Sequence, residues 1–564
     1  MNTEILGTAV IVLLTFIMAY PLGKYISKVF KGEKVWSDFL APFEKFVFKI
    51  ASINPDESMD WKENLKALLR LNAVFFVWSI LLLTIQGFIP IWNPMHIGNM
   101  ESMLAFNTSA SFVSNTNLQH YSGESGLSYL SQLIVICFMQ FAAAASGIAV
   151  LALLFKGLML KKASELGNFY NLFLKSGTRI LLPLSIIVAV VLLLNGTPTT
   201  FNGMQKVITL EGDTTLTATG PAAPIVAIKQ LGTNGGGFFG ANSAHPFENP
   251  NYFTNAIQNL SILLIPVALV FAFGFYLNKK KLAWIFFGVM TIIFITMLIC
   301  STTSELKGNP EIAKLGISQQ MGNMEGKEIR FGSAASALWG VSTTSSSNGS
   351  VNSMHDSFTP ISVGIFLMDM FLNSIYGGVG VGFINFFMFV IIAVFIGGLM
   401  VGRTPEFLGK KIEAKEVKIA ALIILIHPFL VLIGTAIASY TATNNPSIGW
   451  LGNTSFRGFT EMLYEYTSAS ANNGSELAGL AANTPFWNIT TGIVMLIARF
   501  LPIIGPLAIA GSLASKKSTP FSEGTLKVDS IAFGVVLLGV IIVVAALSFF
   551  PALSLGPLAE HFSL

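Results

Sequence analysis

Charge is scarce in this sequence. Only 11% of its 564 residues are Asp, Glu, Lys or Arg, while 53% are hydrophobic. A soluble globular chain carries roughly 25% charged residues. The apolar residues instead gather in blocks of about 20, the length that crosses a hydrocarbon core of about 30 Å, so the chain reads as polytopic in a membrane. Cysteine is nearly absent. Cys137 and Cys300 exclude a disulfide framework or a cysteine-ligated metal, and both are expected to be small buried residues inside helices. Neither a Gly-x-x-x-x-Gly-Lys-Ser/Thr phosphate loop nor an Asp-Lys-Thr-Gly phosphorylation motif occurs. The sequence likewise lacks a His-x-x-x-His pair or a paired-carboxylate helix, so an intramembrane enzyme has no visible machinery. His427, just before Pro428, is expected to be a satisfied packing residue. The first apolar block, Ile5 to Tyr20, has no basic stretch before it and no cleavage site after it, which predicts a retained membrane helix.

What is present is a regular alternation. Ten apolar segments centre near residues 15, 80, 142, 186, 265, 293, 385, 430, 498 and 541, and the loops between them divide the positive charge unequally. Of 33 Lys and Arg residues, 24 fall on one face, between Lys24 and Lys66, Lys156 and Arg179, Lys279 and Lys281, Arg403 and Lys418, and Lys516 and Lys527. Seven fall in the opposite loops, namely Lys206, Lys229, Lys307, Lys314, Lys327, Arg330 and Arg457. The positive-inside rule makes the first face cytoplasmic and puts both termini outside. The net charge of +4 is then a topology signal and not a nucleic-acid footprint.

All the long polar loops fall on the outer face, and four of them share a small-polar cluster. These are Asn107 to Gln119, Gly232 to Phe239, Thr343 to Ser350 and Thr467 to Ser475. Aligning Asn115, Asn234, Asn348 and Asn473 gives intervals of 119, 114 and 125 residues, the mark of internal duplication. Each cluster follows a stretch too short to span and precedes a long apolar helix. The unit is therefore helix, half-helix, polar turn, helix. Irregular polar backbone at membrane depth is tolerated where it is buried in protein or lines a cavity, and four such turns around one axis can replace the hydration shell of a cation.

The turns nominate a filter of Ser114, Asn115, Thr116 and Asn117; Thr233, Asn234 and Gly235; Ser347, Asn348 and Gly349; and Asn472, Asn473 and Gly474. Gln119, Gly236, Gly237, Ser350 and Ser475 adjoin it. In this alignment the first turn places Thr116 where the others have glycine, so the filter is expected to be asymmetric. The predicted fold is all-α, with ten transmembrane helices, four pseudo-fourfold membrane–pore-loop–membrane repeats and one extra helix at each end. The predicted division is 1–64 (N-terminal helix and loop), 65–160, 161–281, 282–412 and 413–520 (the four repeats) and 521–564 (C-terminal helix).

Several segments resemble one family closely. Gly232-Thr-Asn-Gly-Gly-Gly-Phe-Phe239, Ala241-Asn-Ser-Ala-His-Pro-Phe-Glu-Asn-Pro250, Gly397-Gly-Leu-Met-Val-Gly-Arg-Thr-Pro-Glu406 and Asn483-Thr-Pro-Phe-Trp487 are similar to the potassium-binding and translocating subunit (KdpA) of the bacterial Kdp pump, within the superfamily of potassium transporters. The resemblance runs essentially end to end. It implies K+ as the transported ion, no cofactor, and a location in the bacterial cell membrane. It also implies a companion P-type ATPase subunit (KdpB) that hydrolyses ATP, an accessory subunit (KdpC) and a small single-span subunit (KdpF). The absence of any nucleotide motif agrees, and the longest cytoplasmic segment, Lys24 to Lys66, is about 40 residues.

Two features look like this family's gating elements. The apolar stretch Ile361 to Val401 would make roughly 60 Å of helix, twice what a bilayer needs. A break at Gly377, Gly378, Gly380 and Gly382 resolves that and would obstruct passage below the filter. Arg499 stands in an otherwise apolar segment, where a charge is expensive, and by resemblance sits beneath the filter. Arg403 matches a helix-end arginine of the superfamily and equally fits a plain positive-inside anchor. The alternatives to a pump subunit are a stand-alone K+ channel or an ion-gradient-driven transporter. A membrane scaffold would leave the four polar turns unexplained.

Overall fold

The computed structural model describes residues 3–400, 402, 404–517 and 527–564. Among them, ten helices are long and apolar enough to cross a membrane. Four shorter helices stop part-way and end on the polar turns, and a fifth, just before the glycine break, is also too short to span.

Helix α1 (Thr3–Lys31) comes first. The first unit is α2 (Trp61–Phe88), short helix α3 (Ser102–Val113) and α4 (Tyr129–Met159). The second is α5 (Phe169–Leu194), short helix α6 (Ala222–Leu231) and α7 (Tyr252–Tyr276). The third is α8 (Lys280–Lys314), short helix α9 (Gly332–Ser345), α10 (Pro360–Leu372) and α11 (Val381–Met400). The fourth is α12 (Ala414–Asn444), short helix α13 (Ser455–Ala471) and α14 (Pro485–Ser515). Helix α15 (Ile531–Leu555) is the last span, followed by a short helix, Pro557–Ser563. Among the described residues, the named strands form three two-stranded antiparallel ribbons in loops.

Burial sorts these helices by role. Most residues of α4 and α7 are buried, whereas α2, α12 and α15 bury few of theirs. With Leu and Ile side chains crowding their outer faces, the latter read as the lipid-facing shell, and the former as the wall around the turns. The extra helix α1 docks against α7. A Cβ at Gly23 would lie 2.5 Å from the Ala268 carbonyl oxygen, so glycine there sets the helix–helix distance, as small residues do in membrane packing.

The third unit carries the expected break. Its last span is two helices, α10 and α11, separated by 373–380. Asn373 ends α10 in the left-handed region (φ 42°), an accepted helix stop for Asn. Gly377, Gly378 and Gly380 lie in the break. Gly382 instead belongs to the first turn of α11, where a Cβ would lie 2.2 Å from the Gly377 Cα. The glycine thus lets the chain fold back on itself.

Three expectations need correction. Cys137 is buried, but Cys300 is exposed because it shares the outward face of α8 with Ile292 and Ile299. Lys229 is not a loop residue. It lies in α6, fully buried and ion-paired with Glu248. Lys327 is likewise buried against Glu305, 2.9 Å away. Neither lysine contributes an exposed charge to its face of the molecule. Arg403 and the 520/521 division lie outside the described residues.

Candidate functional site: four polar turns in a closed ring

Each short helix ends on the same backbone device. The N–H of Thr116 donates to Ser111 O, Asn234 N–H to Lys229 O, Asn348 N–H to Thr343 O and Asn473 N–H to Ser468 O. All four bonds reach back five residues. On either side of this amide stands a residue with positive φ: Asn115 and Asn117, Thr233 and Gly235, Ser347 and Gly349, Asn472 and Gly474.

This shared geometry shifts the first unit's alignment by one. Thr116, not Asn115, corresponds to Asn234, Asn348 and Asn473, and Asn117 takes the place of the three glycines. Asparagine is the side chain that best tolerates the left-handed region, which is why this turn manages without glycine. The first unit offers asparagine at both 115 and 117, so sequence spacing alone could not choose between them.

The turns meet in sequence and close a ring. A Cβ on Gly235 would lie 2.0 Å from Asn348 O, one on Gly349 2.1 Å from Asn473 O, and one on Gly474 2.0 Å from Thr116 O. Units 2, 3, 4 and 1 therefore touch through bare glycine Cα atoms against the neighbour's carbonyl. The remaining junction, 1 to 2, is built differently. Asn117 has a Cβ, and Gly236 makes room for it: a Cβ there would lie 2.9 Å from that of Asn117.

Most backbone donors of these turns are used up internally. Gly349 N–H donates to Thr343 Oγ1 (2.8 Å) and Gly474 N–H to Ser468 Oγ (2.9 Å). Asn117 N–H and Gly235 N–H go back to Ser111 O and Lys229 O. Ser350 and Ser475 donate their N–H to Asn348 Oδ1 and Asn473 Oδ1, both at 2.9 Å. With most of its amides engaged, the ring presents mainly oxygen acceptors to whatever enters it, which suits a cation. The short helices also point their C-terminal, negative dipole ends at the ring.

Units 1 and 2 are held by Gln119, nominated above beside the filter, and by Gln140, Asn242 and Lys229, which sequence reading missed. Gln140 of α4 donates to Asn117 Oδ1 (3.1 Å) and to Gly236 O (2.8 Å). Gln119 clamps Gly237 from both sides, accepting from its N–H at 2.8 Å and donating to its carbonyl at 3.2 Å. Asn242 donates to Gly235 O (2.7 Å), while its Oδ1 accepts from Lys229 Nζ at 2.7 Å. Lys229 also meets Ser243 and Glu248. A buried cation is costly unless paired and bonded in this way. Asn242 and Glu248 lie in a motif quoted above, but nothing in their spacing announces the contact.

The break between α10 and α11 lies against one side of this ring. Val379 N–H donates to Thr233 Oγ1 (2.9 Å) and Gly377 N–H to Ser345 O (2.9 Å). Asn373 accepts from Ser347 Oγ (2.9 Å) and donates to Ala471 O (3.2 Å). The break is thereby tied to units 2, 3 and 4 at once. From the other side, a Cβ at Gly380 would lie 2.1 Å from Gly147 O of α4. Arg499 of α14 is buried in the same place and donates to Ala143 O at 3.1 Å. His427 is satisfied as expected, by Ser470 Oγ at 2.7 Å and Met370 O at 3.0 Å.

The sequence model described as "Potassium-transporting ATPase A subunit" matches residues 9–562. The chain belongs to that family. A relative from Flavobacterium johnsoniae, named potassium-transporting ATPase potassium-binding subunit, is 57% identical with both chains covered in full. Relatives of the same name from Bacteroides fragilis (54%, both covered in full) and Geobacillus kaustophilus (48%, 98% of each) agree. Among solved structures, the potassium transporter TrkH from Vibrio parahaemolyticus superposes with a TM-score of 0.52 over 90% of this chain and 98% of its own, at 13% identity. That likeness supports the shared pore-loop architecture alone.

Proposed function

We propose that this chain captures K+ from outside the bacterial cell membrane in a filter made by the four turns, and passes it to a partner P-type ATPase subunit for ATP-driven uptake. The observation that carries this reading is the ring of turns whose amides are mostly consumed internally, leaving carbonyl and side-chain oxygens for an ion that must shed its water. Relatives named as potassium-binding subunits supply the choice of K+. The ion sites in this proposal are those nominated from sequence, with Asn117 in the glycine register and Thr116 beside Asn234, Asn348 and Asn473. Both termini are outside, and the chain needs no cofactor.

The chain is the non-catalytic, ion-binding part of the pump, and hydrolysis belongs to the partner, accompanied by an accessory and a small single-span subunit. The tied break under the ring favours this over a stand-alone channel, because it blocks a straight path inward next to the buried charge of Arg499. A cavity bordered by Asn373, Asn385, His427, Ala498 and Val544 opens beside the break, in the direction of a lateral exit. Purification from native membranes tests the assignment. A P-type ATPase chain is expected to come with this one, with ATP hydrolysis stimulated by K+. Full K+ conduction by the isolated chain would overturn it.

A further inference from the structure

At the mouth side of the junction between units 4 and 1, three side chains far apart in sequence converge. His120 lies three residues beyond Asn117, Glu476 two beyond Gly474, and Glu465 on α13. One ligand atom from each lies within 4.8 Å of the others. His120 and Glu465 are buried, and Glu476 is half-buried.

The hydrogen bonds fix which imidazole nitrogen is available. Asn488 Nδ2 donates to Asn483 Oδ1 (3.1 Å), which turns Asn488 Oδ1 toward the ring, and His120 Nδ1–H donates to it at 2.7 Å. A histidine oriented by a carbonyl on one nitrogen presents the other for ligation, the usual arrangement around bound metals. Here that other nitrogen, Nε2, faces Glu465 Oε1 at 3.0 Å. An imidazole lone pair and a carboxylate oxygen so close must share a cation between them. A proton on His120 balances one carboxylate and leaves Glu476 to be neutral, as burial that pushes its carboxyl up to about 8 allows, whereas a doubly charged metal ion balances both carboxylates at once. Glu465 Oε2 is buried and, among the described residues, has no hydrogen-bond donor.

We propose that His120, Glu465 and Glu476 bind a divalent transition-metal cation, bridging units 4 and 1 beside the ring. One nitrogen and two carboxylates suit Zn2+ or Co2+. The nitrogen ligand disfavours K+, Mg2+ and Ca2+, which take oxygen donors. The site is separate from the four turns, and its presence does not depend on the K+ reading. It would put a second kind of cation at the entrance, fixed to the one junction whose carbonyl comes from Thr116.

The test is Zn2+ titration, against a competing chromophoric chelator, of the full-length chain purified from membranes with its native companions. Wild type is expected to bind one equivalent more than Glu476→Gln and His120→Asn, or to bind it at least tenfold more tightly. Equal stoichiometry and affinity in all three would overturn the site. Should either variant fail to assemble, anomalous diffraction at the zinc edge from wild-type crystals soaked in Zn2+ decides. A peak between His120 Nε2 and Glu465 supports the proposal, and no peak there contradicts it.

Discussion

Units 3 and 4 make the same turn as units 1 and 2 but hold it by different means. In units 3 and 4 the latch is local and nearly identical. A hydroxyl on the short helix, Thr343 or Ser468, takes the glycine N–H, and the turn's own asparagine takes the N–H of the following serine. In units 1 and 2 these local latches are missing. Their place is taken by Gln119, Gln140 and Asn242, the last backed by the buried Lys229–Glu248 pair. Half of the ring is therefore self-supporting, and half is braced by residues up to 118 positions away. The comparison teaches that a repeat can keep its backbone geometry while exchanging the side chains that enforce it.

The largest expected effect comes from removing the brace of unit 2. Lys229→Met leaves Glu248 buried without its partner, a loss of about 3–5 kcal/mol. It should lower the Tm of the detergent-solubilised protein and frees Asn242 from its support. An unchanged Tm would show that the ion pair does not brace the turn. Next, alanine at Gly349 forces a Cβ against Asn473 O in a backbone with φ of 91°. A strain of about 1–3 kcal/mol predicts a loss of K+ affinity of roughly 5- to 150-fold.

Smaller effects separate the two halves more finely. Thr343→Val and Ser468→Ala each orphan one glycine N–H, at about 1–3 kcal/mol. Because the two latches do the same job, the two variants should weaken K+ binding to a similar degree. Widely different losses would mean that units 3 and 4 are not equivalent. The smallest effect belongs to Asn117→Gly, which keeps the left-handed backbone but drops the bond from Gln140, about 1 kcal/mol. Isothermal titration with K+ reads this series, and a larger loss for Asn117→Gly than for Gly349→Ala would reverse the comparison.

The sequence carried much of this architecture. The spans followed from apolar block length, the four units from the recurrence of Asn-rich clusters, and the broken helix from a stretch too long for one crossing. What it could not carry was side-chain wiring. Asn115 and Asn117 are indistinguishable by composition, and only the hydrogen bond closing each turn shows which of them replaces glycine. Lys229 looked like a loop charge because its carboxylate partner stands in a separate turn. His120 and Glu465 are 345 residues apart, a separation at which no spacing rule operates. The position of Arg499 came from the resemblance, since its apolar neighbours fit a side chain that snorkels to the interface as well as a buried one.

The central claim is that the ring of four unequal turns is the ion site. Binding of K+, Rb+ and Na+ to the purified complex, in wild type and in Gly235→Asp, tests it most directly. Any side chain at Gly235 meets Asn348 O, and aspartate adds a charge where carbonyls already crowd. The account predicts K+ preferred over Na+ in wild type, with affinity or selectivity for K+ clearly weakened in the variant. Unchanged K+ binding in Gly235→Asp would contradict it.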